Sequence, residues 1–175
     1  MFDFLDALKI ERVHLIGYSM GSYVGLYMAS MYPKRIKSFI GIGSSTKPMP
    51  SGSEDFLPEN VILHNNQKLI QDTLVRHFDA HRGNWQEFLR QTVSDWQNHP
   101  SLSDKEWQAI TCPLFFINGE LDEFGSCHEL LKKCSHAQIY EVPQGTHRPH
   151  FVMEQGKEIN EKMLAFLDKQ SVQEK

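Results

Sequence analysis

Four short apolar runs divide the chain: VHLIG at 13–17, IKSFIGIG at 36–43, PLFFING at 113–119 and QIYEV at 138–142, each bounded by glycine or proline. The first three are almost continuously apolar. That is the pattern of strands covered on both faces, as in a parallel sheet, whereas strands with one wet face alternate. Between the runs the apolar period lengthens to that of a helix. After Ser19, the residues Val24, Tyr27, Met28 and Met31 recur at helical spacing until Pro33 stops the pattern. Gly21 and Gly25, four apart, leave one face of that helix bare for close packing on a sheet. Ser126 and Glu129 form a capping-box pattern ahead of ELLKKC. A last helix is expected over 151–167, with Ile159, Met163, Phe166 and Leu167 on one stripe, and the tail 171–175 is expected to fray.

The middle of the chain differs. Residues 47–58 (KPMPSGSEDFLP) read as a loop, with three prolines and a glycine among polar residues. Two helical patterns follow, Leu69, Ile70, Leu74, Val75, Phe78 and then Trp85, Phe88, Leu89, Val93, Trp96, and Ser103 with Glu106 marks a further short helix. No strand signal interrupts this block, so it reads as a helical insertion between two strands of one sheet. The organisation is then 1–46 for the first part of an α/β core, 47–110 for a helical cap or lid, and 111–170 for the rest of the core. The aromatic residues Trp85, Phe88 and Trp96 either pack within the insertion or line a substrate pocket, and periodicity does not separate the two.

Composition narrows the classes. The 175 residues suffice for one sizeable core, and 40% hydrophobic with 23% charged residues is ordinary for a soluble globular protein. A net charge of -4 argues against a nucleic-acid surface. The one basic run, Lys34, Arg35 and Lys37, follows a helix, where cations suit the C-terminus. No stretch approaches the ~20 apolar residues of a membrane span, and the acids within FDFLDALKIE do not suit a signal peptide. Three cysteines cannot all pair within one chain and none sits in a CxxC, which points to reduced thiols in a cytoplasm. Cys127 and Cys134 flank a polar helix without metal-ligand spacing, and His128 and His136 nearby read as surface residues.

The chemistry begins at Gly17-Tyr18-Ser19-Met20-Gly21, which fits G-x-S-x-G with a strand before it and a helix after it. Glycine and serine are also ordinary turn residues, and local spacing alone leaves that reading open. A sharp strand-to-helix turn leaves no room for side chains beside a nucleophile, which explains the glycines. A serine nucleophile needs a base, usually histidine, oriented by a carboxylate. It also needs donors for the developing oxyanion, and the Met20 amide at a helix N-terminus suits that role. Asp122 follows the third strand run and His147 follows the fourth, in the order acid then histidine and at the sheet edge where catalytic groups of open α/β sheets gather. Glu120 and Glu123 compete with Asp122, and His150 competes with His147.

With LDALKIERVHLIGYSMGS, YPKRIKSFIGIGSS, CPLFFINGELD and GTHRPHFVMEQ in place, the chain resembles serine-type α/β-hydrolases over roughly residues 5–45 and 111–167. The resemblance implies a partial α/β-hydrolase fold: a mostly parallel sheet of about four strands with flanking helices and a helical cap insertion. It implies a Ser19–His147–Asp122 triad, an acyl-enzyme, a small-molecule substrate carrying an ester or related carbonyl, and neither a metal nor an organic cofactor. Tyr18, Trp85, Phe88 and Trp96 are the pocket candidates. Other readings with the same residues are C–C bond hydrolysis, a lyase step, or an inactive fragment serving as an interaction module. Two departures stand out. Ser22 occupies a position where relatives often carry a second glycine. The chain also opens in the helix preceding the nucleophile's strand, without the family's earlier strands or the loop that gives a second oxyanion donor. The strand from Val13 to Gly17 is therefore expected to be an unpaired edge through which the chain self-associates.

Overall fold

All four apolar runs are strands in a computed structural model that describes residues 1–46, 52–98 and 101–172. They are β1 (Val13–Tyr18), β2 (Ile36–Ile42), β3 (Leu114–Gly119) and β4 (Gln138–Val142), all parallel and in the spatial order β1-β2-β3-β4. The register sets Leu15 opposite Phe39, Ile40 opposite Phe115 and Ile117 opposite Tyr140. Every residue of β3 is buried, as two-faced coverage requires. At the edge, β1 is only half covered, and Ile16 is exposed.

The pleat sends alternate side chains to two cores. Phe39 and Phe116 join Leu26, Ala29, Trp107, Ile110 and Leu130 on one face, while Ile40, Phe115 and Ile117 join Ile159 and Phe166 on the other. Helix α2 (Met20–Met31) covers the first face, and of its expected stripe Met28 is buried and Tyr27 half-buried against that core. Ser22, Gly25, Leu26 and Ala29 face inward, and Val24 and Met31 are exposed. The reason is the Phe39 ring: a Cβ on Gly25 would stand 2.9 Å from its Cζ, so the helix rides on its small residues. Gly21 does not share this role, because a Cβ there would meet nothing within 4 Å.

Before β1 lies α1 (Phe2–Ala7). Arg35, in the 3-10 turn Pro33–Arg35, stitches the intervening loop down rather than serving a helix terminus. Its guanidinium donates to Asp6 Oδ1 at 2.6 Å, to Ile10 O at 3.1 Å and to Glu11 O at 2.6 Å. Around β3 and β4 stand α6 (Asp104–Ala109), α7 (Cys127–Lys133) and α8 (Met153–Val172). The Ser103–Glu106 capping box forms in full, whereas Ser126 caps α7 by accepting from the His128 amide rather than through Glu129. Residues 171 and 172 are still helical, and the remainder of the tail, 173–175, lies outside the described residues. Burial leaves Cys112, Cys127 and Cys134 unpaired, with each thiol pushed up to about 11 by desolvation. None of the helices among the described residues is long and apolar enough to cross a membrane.

Contacts divide the chain into a sheet unit, Met1–Thr46 with Leu102–Lys175, and a helical unit, Lys47–Ser101. The insertion therefore ends at 101 rather than 110, because Trp107 and Ile110 belong to the core beneath α2. The helical unit holds α3 (Pro58–Leu63), α4 (Gln67–Arg76) and α5 (Trp85–Asn98), with Val61, Leu89 and Val93 buried. Of the loop expected at 47–58, residues 47–51 lie outside the described residues, 53–56 form a 3-10 turn, and Pro58 starts α3. Val75 and Phe78, read as part of an apolar stripe, are exposed.

Candidate active site

Ser19 sits between the end of β1 and the start of α2 with φ 52° and ψ −120°, a conformation that non-glycine residues rarely hold. Both sides of the turn over-determine it. The Ser19 amide donates to Ile42 O at 2.9 Å, and its carbonyl accepts from the amides of Ser22 at 2.9 Å and Tyr23 at 3.2 Å. Gly17 makes the close approach possible: a Cβ there would lie 2.7 Å from both Gly21 C and Ser22 Cα. The turn thus aims the hydroxyl at the C-terminal edge of the sheet, where the loops after β3 and β4 also arrive.

Those loops bring Asp122 and His147. His147 Nε2 lies 2.8 Å from Ser19 Oγ, and Nδ1 lies 3.0 and 3.2 Å from the two Asp122 carboxylate oxygens. With the carboxylate ionised, the ring proton is assigned to Nδ1, which donates to Asp122, and Nε2 accepts from the serine hydroxyl. The Asp122 side chain is 0% exposed and the His147 side chain 18%. A carboxylate so buried requires donors. It has two besides His147: the Phe124 amide at 3.0 Å and Asn118 Nδ2 at 3.1 Å. Glu120 instead accepts from the Gln144 amide and side chain, and Glu123 is exposed.

The imidazole is flanked by two rings, Phe124 at 4.6 Å and Tyr18 at 5.4 Å between centroids. Burial raises the Tyr18 hydroxyl above its ordinary pKa, with the positive charge of Arg148 opposing the shift. His150, the rival histidine, lies in the 3-10 turn Pro149–Phe151 and packs on Tyr18 at 4.6 Å and on Phe151 at 4.4 Å. Its Nδ1 is buried without a hydrogen-bond partner, and desolvation lowers its pKa. The Met20 amide begins α2, where a helix leaves its first N–H groups without intrahelical acceptors. Trp85, Phe88 and Trp96 belong to the helical unit, all half-buried. There Phe88 stacks on His77 at 4.3 Å and Trp96 meets Phe56 edge-on at 5.2 Å. Asn118 and Phe124 were not among the residues singled out from sequence; the only hint was one asparagine inside an apolar strand. Among the described residues, no group of three or more His, Cys, Asp or Glu side chains is arranged to hold a metal ion.

A parallel sheet carries a strained serine at a strand-to-helix turn, followed in chain order by a carboxylate and a histidine at the same edge. The family profile described as the alpha/beta hydrolase fold matches residues 2–93, just over half of the 175 residues, and the chain belongs to that family. Among curated relatives, RutD of Stutzerimonas stutzeri (strain A1501), provisionally named a carbamate hydrolase, is 32% identical over 66 residues, covering 38% of this chain and 25% of that protein. A 2-hydroxy-6-oxononadienedioate/2-hydroxy-6-oxononatrienedioate hydrolase of Paraburkholderia phymatum is 24% identical over 143 residues, covering 69% of this chain and 49% of that protein. The chain thus spans between a quarter and a half of these relatives' length. Of solved structures, one from work on carboxylesterases of Nitrososphaera gargenis superposes with a TM-score of 0.74 at 17% identity, over 98% of this chain and 70% of that one. The meta-cleavage product hydrolase CumD of Pseudomonas fluorescens IP01 superposes with a TM-score of 0.65 at 16% identity, over 96% and 69%. At these identities the structural likeness is one of fold.

Proposed function

We propose that the chain carries the reacting centre of a serine hydrolase acting on a small ester or related carbonyl compound. The observation that carries this reading is the continuous contact from Ser19 Oγ through His147 to a fully buried Asp122. His147 takes the serine proton as Oγ attacks the carbonyl carbon, and Asp122 stabilises the imidazolium that forms. The Met20 amide donates to the oxyanion, with the dipole of α2 behind it. His147 then protonates the leaving group, and water, deprotonated by the same nitrogen, releases the acyl group. Trp85, Phe88 and Trp96 of the helical unit are the candidates for substrate selectivity.

A second reading has support of its own. Relatives are named for 2-hydroxy-6-oxo dienoic acids, among them the Paraburkholderia phymatum hydrolase. The same three side chains would then hydrolyse a C–C bond beside a ketone. Turnover of p-nitrophenyl esters of increasing acyl length, set beside a 2-hydroxy-6-oxo dienoic acid, tests both. S19A should abolish turnover and D122N should lower it about 10⁴-fold. W85A should alter the preference for acyl length more than the rate on the shortest ester. Undiminished turnover by S19A contradicts both readings, and an unchanged length preference in W85A removes the helical unit from selectivity.

A further inference from the structure

Ser22, Ser44 and Asn118 make a buried polar chain beneath the serine turn, each at most 1% exposed. The hydroxyls of Ser22 and Ser44 share a hydrogen bond. Gly41 leaves room for the pair, since a Cβ there would stand 2.7 Å from Ser22 Oγ. The Ser44 amide donates to Asn118 Oδ1 at 3.3 Å, and Asn118 Nδ2 donates to Ser44 O at 2.9 Å and to Asp122 Oδ2 at 3.1 Å. These bonds fix the amide in one orientation. Turned over, its oxygen would face the Asp122 carboxylate and its NH₂ would face the Ser44 amide proton.

We infer that Asn118 is a positioning residue for Asp122, locked by Ser44 and Ser22, and that it aims the carboxylate at His147. The inference rests on the reading of Ser19, His147 and Asp122 as the catalytic set. Phe124 N–H takes Oδ1 and Asn118 takes Oδ2, so the carboxylate turns both oxygens toward His147 Nδ1, at 3.0 and 3.2 Å. Without the Asn118 donor, one oxygen of a fully buried carboxylate is left short of a partner, and the group rotates or takes up a proton. Either change spoils the orientation and charge that His147 needs as base. The titratable groups facing Asn118 are Asp122, with His147 behind it, and Cys127, whose Sγ lies 3.8 Å from Oδ1. Burial pushes the Cys127 thiol up to about 11, so it stays neutral through the working range.

The test is the rate at which a fluorophosphonate labels Ser19 in the native chain, N118L and N118D, from about pH 5 to pH 8. In that reaction the Oγ–P bond forms, P–F breaks, the serine proton passes to His147 and fluoride leaves. N118L should label about tenfold to a hundredfold more slowly than the native chain at every pH. N118D is nearly isosteric. It should approach the native rate at the acid end, where the introduced carboxyl is protonated and donates to Asp122. As that carboxyl ionises beside Asp122, N118D should fall behind the native chain. A native rate in N118L, or an N118D profile parallel to the native one throughout, overturns the inference. The low-field proton resonance of His147 Nδ1–H, followed in parallel, separates this inference from the reading beneath it. Movement of that resonance in N118L with no labelling of the native chain upholds the positioning role and defeats the catalytic one. Labelling of native Ser19 with an unmoved resonance does the reverse.

Discussion

Replacing Gly17 with alanine drives a methyl group into the backbone of the helix that follows. The new carbon would stand 2.7 Å from Gly21 C and from Ser22 Cα, and closer still to Gly21 O. Neither partner is the free end of a side chain, so the first turn of α2 must move by roughly half an ångström to an ångström. Overpacking of this kind costs about 1–3 kcal/mol, and a backbone contact belongs at the upper end. The same movement carries Ser19 away from His147 Nε2, now 2.8 Å from its hydroxyl, and a misplacement of ~1 Å lowers rates about 10²-fold. Gly21 provides the control. It lies in the same motif and in α2, but a Cβ there meets nothing within 4 Å. G21A should therefore keep its labelling rate and gain up to about 1 kcal/mol from the better helix propensity of alanine. Urea unfolding at matched m-values and fluorophosphonate labelling rates measure both effects. G17A should be the less stable variant by about 3–4 kcal/mol. Equal losses in the two variants, or a native-like G17A, would refute the packing argument.

The three thiols should resist Ellman's reagent at about pH 8 while the chain is folded, because each is buried and its pKa is raised to about 11. All three should react once denaturant is added, and a thiol that reacts at once in the folded chain would contradict its burial. The depressed pKa of His150 means that the folded chain binds its proton less readily than the unfolded chain, so stability from this group is present above the ordinary histidine value and is lost as pH falls below it. H150F, which keeps a ring between Tyr18 and Phe151, should flatten the urea-midpoint profile between about pH 7 and pH 5, and an unchanged profile would assign the loss elsewhere. We propose that the outer edge of β1, where Ile16 is half exposed, pairs with a second copy of the chain. I16K should then shift the sedimentation profile toward monomer, and concentration-independent sedimentation of the native chain would dismiss the contact.

The sheet was legible because each strand is a short apolar run bounded by glycine or proline, and all four runs became strands, though only β2 and β3 are covered almost throughout. The faces of the helices were less legible. In α2 the inward face joins Leu26 and Met28 to Ser22, Gly25 and Ala29, with Gly25 fitted against Phe39 by its smallness, so a search for large apolar residues found Met28 but also chose the exposed Val24 and Met31. Helix α3 is too short for periodicity to register, and its opening proline looked like the end of a loop. At the site, Ser19, Asp122 and His147 could be picked out because each follows a strand in a fixed order. Asn118 and Phe124 meet the site through contacts across the chain that no repeat announces. Only the fold brings the one to Asp122 Oδ2 and the other to Oδ1 and the His147 ring.

The central claim is that Ser19 is an activated nucleophile, and mass spectrometry after treatment with a fluorophosphonate tests it most directly. The account predicts a single adduct on the peptide that contains Ser19, absent from S19A and strongly slowed when His147 is replaced by alanine. No adduct on the native chain, or one on a different serine, would contradict it.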